Sequence, residues 1–376
     1  MFRGFNKKAK SRLLNGIIIF VSVTFAVSLL YTGFHFGQRQ PVEGEGGAIA
    51  TVNGHSISRI DFENVYRNTL LSEREKGVVV SLDMYGPIRA AVLDQLVNHV
   101  LLVDAAQKEK IRVPSKDIRA KLEEQKKQFA SDKEFRDALM RAGLTTGQLT
   151  AAIREQLTLQ ALIDKVKAGA TVSDEAVAAE YKKRNNKEPK GPEFEAAEGA
   201  LRQELLAEAQ NKALDDWFRK LKESADIRIH DDQISAIMSL QKGETDKAIE
   251  IFEKAIKEDA ENAELYMGLA SAYTRKGDID SAIRNYEQAV KFAPDDPYTH
   301  FYLGDAYRKA GRTEDAVREL KKASELAYTD VLIHFRLQSI FRAMGRADDA
   351  RVEQQKIQET QKVLQRMNSP SGEPKR

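Results

Sequence analysis

Cysteine is absent from all 376 residues. Disulfides, thiolate metal ligation, cysteine nucleophiles and a lipid-modified cysteine anchor are thereby excluded, although the absence names no compartment. Charge excess is nearly absent too. Fifty-nine basic side chains against 57 acidic ones leave +2, so no broad attraction for nucleic acid is expected. Aromatic residues are 7% and charged residues 31%, a balance that suits helices with solvated faces better than a β-rich core. No GxSxG, P-loop, dinucleotide or HExxH pattern occurs. The histidines, His35, His55, His99, His230, His300 and His334, lack the spacing of helical metal ligands. A non-enzymatic chain with no catalytic residue, no cofactor and no metal is the expectation. His99, alone on an apolar stretch, reads as a satisfied core residue.

What the sequence does hold is one long oily run. Leu13–Phe36 is twenty-four residues without a formal charge, enough as a helix to cross about 30 Å of hydrocarbon. Arg3, Lys7, Lys8, Lys10 and Arg12 precede it, and Arg39 alone follows before Glu43 and Glu45. That asymmetry predicts residues 1–12 as a cytoplasmic basic tail, 13–36 as a transmembrane helix, and the rest of the chain on the far side. A cleavable signal peptide is the competing reading. It would have a shorter apolar core ending in a small-x-small site, and Ala48 and Ala50 lie too far beyond the run. Residues 37–47 read as a glycine-containing linker.

Residues 48–230 read as one mainly helical domain with a small β element. Ile49, Thr51 and Ile57 alternate around Asn53-Gly54, the signature of a tight hairpin. Two strands alone are marginal, and the best third partner is remote, at Asp226–Ile229. Between them, Ser58 with Asp61 caps one helix, and Pro87 opens a second. That second helix is apolar around most of its circumference, from Ile88 to Val103, so it should be central. Further helices begin at Ser115, Ser131, Thr146, Ser173 and Pro192, the last running to about Ser224. Trp217 reads as a core anchor of that return helix.

Several of these segments resemble one family in order and spacing. They are Ile49–Gly54, Leu93–Asn98, Ala105–Val113, Phe135 with Leu139 and Ala142–Leu144, and Val172–Val177 with Tyr181. Together they look like the SurA/PpiD/PrsA-type chaperone domain over about residues 48–230. The resemblance implies an extracytoplasmic helical cradle for unfolded or translocating chains. Many members insert a parvulin prolyl-isomerase domain after the segment matching Val172–Tyr181. Here only a short polar stretch separates Tyr181 from Pro192, too little for such an insert.

From Ile234 the chain repeats itself. Gly243, Gly277, Gly311 and Gly345 recur at one constant spacing, and Ala248, Ala282, Ala316 and Ala350 keep the same period. This pattern matches the tetratricopeptide repeat (TPR). Residues 234–367 are expected to form an α-solenoid closed by a polar helix over Glu353–Met367, and 368–376 a disordered tail. Met267, Phe301 and Phe335 share one inner-helix position. Thr274, Arg308 and Arg342 share another, with Arg275 and Lys309 adjacent. Met267, Phe301, Arg308, Phe335 and Arg342 are therefore candidates for a groove that takes an extended, partly acidic peptide. The alternative is that the aromatics pack between helices and the arginines are solvated. The lysine/asparagine clamp of repeats that bind chaperone C-termini is not reproduced.

The expected fold class is thus mostly α: a transmembrane helix, a SurA-like domain with a small β element, and a TPR solenoid. The expected function is a membrane-anchored periplasmic holdase in a bacterial inner membrane, without prolyl-isomerase activity. Its partners would be unfolded or nascent envelope proteins and the protein-export machinery, with no nucleic acid. A TPR scaffold for one envelope complex is the alternative, and a prolyl isomerase the second alternative.

Overall fold

The computed structural model describes residues 47–328 and 330–368. The expected basic tail, transmembrane helix and C-terminal tail lie outside these residues, save Asn368, as does nearly all of the linker. No helix among the described residues is long and apolar enough to cross a membrane. Those residues form fifteen helices and three strands, mostly helical as expected. They divide into two compact units. One holds the chain up to Val65 with Asp94–Arg228, the other Tyr66–Leu93 with everything from Ile229.

The first unit opens with strands β1 (Ala48–Val52) and β2 (His55–Ser58), antiparallel, with Val52 opposite His55 and Ala50 opposite Ile57. Asn53 and Gly54 both have positive φ, 50° and 83°, as a two-residue turn of matching twist requires. The remote third strand, β3 (Ile227–Ile229), lies on the other side of β1. Asn53 secures this closure: its N–H donates to the Asp226 carbonyl at 2.8 Å, and its side-chain oxygen accepts from the Asp226 N–H at 3.1 Å. Its amide nitrogen also donates to buried Asp104 at 3.0 Å, which His55 approaches to 3.2 Å.

Helix α1 (Arg59–Glu75) starts at Ser58, whose hydroxyl accepts from the Ile60 and Asp61 N–H groups. Helix α2 (Leu82–Lys108) is buried around most of its length, from Ala90 through Leu93, Leu96, Leu101 and Ala106. Contrary to expectation, Pro87 does not open this helix but lies inside it, because the turn begins at Leu82. Proline there removes one N–H that would otherwise reach the Asp83 carbonyl. The residues before it hold their helical form through contacts with the repeats.

Five helices complete this unit: α3 (Ser115–Lys126), α4 (Asp132–Arg141), α5 (Thr146–Ala168), α6 (Asp174–Asn185) and α7 (Pro192–Glu223). Ser131 and Ser173 cap as expected. Glu134 reaches back to the Ala130 N–H, one residue short of a closed box, whereas Thr145 and Gln148 form the full reciprocal pair. Leu102, Ala106 and Leu162 pack with Trp217 and Phe218, Ile118 and Phe135 with Leu149 and Ile153, and Val177 and Tyr181 with Leu201.

In the second unit the repeats are four helix pairs: α8 (Asp232–Lys242) and α9 (Thr245–Glu258), α10 (Ala263–Lys276) and α11 (Ile279–Phe292), α12 (Pro297–Lys309) and α13 (Thr313–Leu326), α14 (Val331–Ala343) and α15 (Ala347–Asn368). Gly243, Gly277, Gly311 and Gly345 stand at the turns within the pairs with φ between 72° and 89°, a region costly for any residue with a Cβ. Ala248, Ala282, Ala316 and Ala350 are buried where the paired helices meet. Helix α15 runs unbroken from Ala347, so Glu353–Met367 is its continuation and not a separate terminal helix.

Two glycines inside helices should respond oppositely to a side chain. A Cβ on Gly304 would lie 2.7 Å from Leu320 Cγ and 3.1 Å from the Leu320 backbone nitrogen, whereas one on Gly199 would meet nothing within 4 Å. Gly304→Val should cost about 1–3 kcal/mol by overpacking, and Gly199→Ala should add about 0.5–1 kcal/mol. Thermal or chemical unfolding of the two variants measures both.

Candidate peptide-binding groove

Residues at equivalent repeat positions form rows across the first helices of the repeats, α8, α10, α12 and α14. One row is Gly268, Tyr302 and Arg336. The start of α2 is bound there. The Tyr302 hydroxyl donates to Asp83 Oδ2 at 2.7 Å, and Arg336 Nη1 lies 3.9 Å from the same oxygen and 3.4 Å from the Tyr302 hydroxyl. Leu82 packs on the cluster that Met267, Ala270, Tyr286 and Leu303 build. The Leu82 N–H donates to Asp296, the residue that also caps α12. Farther along, a Cβ on Gly86 would lie 2.5 Å from Ile237 Cδ1 of α8, so only glycine allows this approach without displacing the isoleucine. Arg89 then meets Asp231, the cap of α8, at 3.6 Å.

The electrostatics of this face follow from burial. Desolvation, with the Asp83 carboxylate beside it, pushes the Tyr302 hydroxyl well above its ordinary pKa, so it stays a hydrogen-bond donor. Desolvation also moves Tyr286 up to about 12. Asp296 and Glu264 are both raised, chiefly by burial; backbone N–H groups of α12 oppose the shift at Asp296, and Gln233 and Arg89 oppose it at Glu264. The face is therefore bipolar, with Arg336 and Tyr302 at one end and Asp231 and Glu264 at the other.

The sequence-derived candidates are dispersed. Met267 is buried in the cluster beneath Leu82. Phe301 is buried with Tyr298, Leu320 and Phe341; the Tyr302 ring stands edge-on to it at 5.3 Å. Arg308 forks onto Asp305 at 2.7 and 2.9 Å, and Lys309 reaches the same carboxylate at 2.8 Å. Thr274 bonds the Ala270 carbonyl and Arg275 the Leu240 carbonyl. Phe335, 47% exposed, and Arg342 are open to solvent. Met267 and Phe301 thus follow the alternative of packing between helices. The residues that sequence reasoning missed stand one position farther on, at Tyr302 and Arg336. The only signal for them was the opposite charge of Asp83 and Arg89 around Gly86-Pro87, on a segment read as lying outside the repeats.

The first unit offers a different surface. Phe129 packs edge-on to Phe135 at 5.4 Å, and Leu122, Leu139 and Leu157 are only half-buried around them. Met140 beside them is 72% exposed, a flexible and polarisable side chain suited to irregular apolar partners.

Two His–Glu pairs, the first part-buried and the second buried, hold the later repeats. His300 Nδ1 meets Glu319 at 2.8 Å while its Nε2 lies 2.9 Å from the Pro294 carbonyl. His334 and Glu353, their equivalents in the next repeat, meet at 2.7 Å, and the Ser324 hydroxyl donates to Glu353 at 2.6 Å. The two histidines stand 34 residues apart at one repeat position, and both are buried. Burial lowers the His300 pKa, but Glu319 and the Pro294 carbonyl outweigh it and leave the imidazole raised; the His300 bond leaves Glu319 lowered. The raised imidazole stabilises fully below its unfolded value near 6.5 and loses this as pH rises through its folded value; the lowered carboxylate stabilises above about 4.3 and loses this as pH falls. Glu319→Gln should therefore lower Tm most between about pH 5 and 6, with a smaller effect at pH 8.5, as a pH series of melting curves would register.

Comparison with known proteins places these units. The SurA-like N-terminal domain matches residues 1–163, and the tetratricopeptide repeat matches residues 239–300 and 274–339. No curated protein matches the chain. Among solved structures, a crystal structure of MamA is 24% identical, covering 32% of this chain and 71% of that one at a TM-score of 0.30. The type III secretion translocator chaperone SycD of Yersinia enterocolitica is 22% identical, covering 29% of this chain and 83% of its own at a TM-score of 0.27. Likenesses at these scores carry no argument about what the chain binds. The chain carries a SurA-like N-terminal domain joined to tetratricopeptide repeats, an architecture for binding other proteins.

Proposed function

We propose that this chain is a membrane-anchored chaperone of the holdase kind, with its body in the periplasm of a bacterium and its N-terminus in the cytoplasm. The SurA-like unit holds apolar segments of unfolded or translocating envelope proteins, and the repeats add a second contact with clients or with the export machinery. The anchor proposed for Leu13–Phe36 keeps both near the membrane, which raises their effective concentration there. The observation that carries the reading is the pairing of a SurA-like match with half-buried apolar side chains around Phe129 and the exposed Met140. Weak, promiscuous capture suits contacts of this size.

We also propose that it is not an enzyme. Helix α6 ends at Asn185 and α7 starts at Pro192, so residues 186–191 are all that stands where related chaperones carry a prolyl-isomerase domain. That connection supports the absence of turnover on proline peptides.

The test uses the purified full chain against several unrelated unfolded proteins, followed by light scattering. A holdase suppresses aggregation of all of them, and Met140→Lys weakens suppression at least twofold while leaving Tm within about 1 °C, as expected of an exposed position. A scaffold for one envelope complex would protect none and copurify with a single partner. A C-terminal tag found shielded inside the cell would overturn the topology.

A further inference from the structure

We propose that the first-helix face of the repeats is a peptide-binding site already filled by this chain's own Ser81–Arg89. It exchanges that resident for a segment of another protein with the same chemistry. The ligand class comes from the resident: a helix start bearing leucine, then a carboxylate, then a basic residue six positions on. This inference rests on reading the repeats as a binding module.

Three observations carry it. First, the charges are matched at both ends. Asp83 meets Tyr302 and Arg336, and Arg89 meets Asp231 within reach of Glu264. Between them Leu82 covers the Met267 cluster and Gly86 sits against Ile237. The resident thus crosses the first helices from the first repeat to the fourth, making at each the sort of contact a bound peptide makes.

Second, the resident is loosely tied to the rest of its own helix. Pro87 cannot donate to the Asp83 carbonyl, so one helix bond fewer holds residues 81–86; Arg89, beyond Pro87, frees Asp231 by giving up its 3.6 Å ion pair. On the other side the segment continues into Gly77–Val80, which has no regular secondary structure, and Val79 is 50% exposed.

Third, the face extends past the resident. Leu332 and Phe335, 53% and 47% exposed, stand on α14 beside Arg336 and are left uncovered. An incoming segment that also covers them gains apolar contact the resident lacks, which drives the exchange.

The test uses the full chain, which holds no cysteine, so a Gly86→Cys, Ile237→Cys pair is the sole thiol pair. The probe is a labelled peptide of residues 78–93, with a charge-swapped peptide (Asp83→Lys, Arg89→Glu) as its counterpart. The pair should form a disulfide on oxidation, and the oxidised chain should bind the native-sequence peptide at least tenfold more weakly than the reduced one. In a chain carrying Asp83→Lys, whose resident is weakened, affinity should rise at least tenfold over the unsubstituted chain. Arg336→Glu in the same background should abolish that gain. The charge-swapped peptide should not bind.

Failure of the disulfide to form, equal binding by oxidised and reduced chains, or no gain from Asp83→Lys in a chain of unchanged circular dichroism would each overturn the proposal. Aggregation suppression is read on the same samples. If it persists while peptide exchange fails, this inference alone falls; if exchange succeeds without suppression, the chaperone reading alone falls.

Discussion

The Leu82–Lys108 helix is shared between two jobs, and the rest of the structure depends on that sharing. Its opening residues belong with the repeats, where Asp83 accepts the Tyr302 hydroxyl and Gly86 meets Ile237. Its later residues are the centre of the SurA-like unit, where Leu96 and Leu101 are fully buried and Asp104 takes the Asn53 amide from the hairpin turn. A single helix thus carries a polar anchor near each end. Both anchors are carboxylates half or wholly removed from water, and such groups are costly unless paired. Their pairing fixes where the helix starts and how the hairpin closes.

The repeats meet the same demand by different means. Their constant period brings glycine to each tight turn and alanine to each helix contact, so every pair of helices approaches closely without strain. Close approach leaves little room for unpaired polar atoms. The His300–Glu319 and His334–Glu353 pairs fill equivalent positions with hydrogen bonds at 2.8 and 2.7 Å. The solenoid thus adds these polar pairs to its apolar clusters, while the apolar cluster of the SurA-like unit around Phe129 is partly open.

Local chemistry made much of this legible in advance. Asn53-Gly54 named its turn, the alternation at Asp226–Ile229 named a strand 173 residues away, and Ser131, Ser173 and Pro192 named helix starts. The regular spacing of glycine and alanine placed all four helix pairs. What escaped was decided by tertiary contact. Pro87 looked like a helix start because proline favours that place, but Leu82–Gly86 gain enough from Tyr302, Asp296 and Ile237 to fold as helix before it. Repeat position alone likewise put Met267 and Phe301 on a binding face, whereas both are buried among neighbours. A groove whose ligand lies far upstream in the same chain leaves no periodic mark, since Asp83 and Arg89 belong to no repeat.

The bond between Asp83 and Tyr302 is the point on which this description turns, and a double-mutant cycle measures it. Asp83→Asn, Tyr302→Phe and the double variant would be compared by denaturant unfolding of the full chain. A coupling free energy of about 1 kcal/mol or more, as a part-buried bond to a carboxylate should give, is the predicted result. Strictly additive effects would mean that the start of the helix does not rest on the repeats, and would contradict the account.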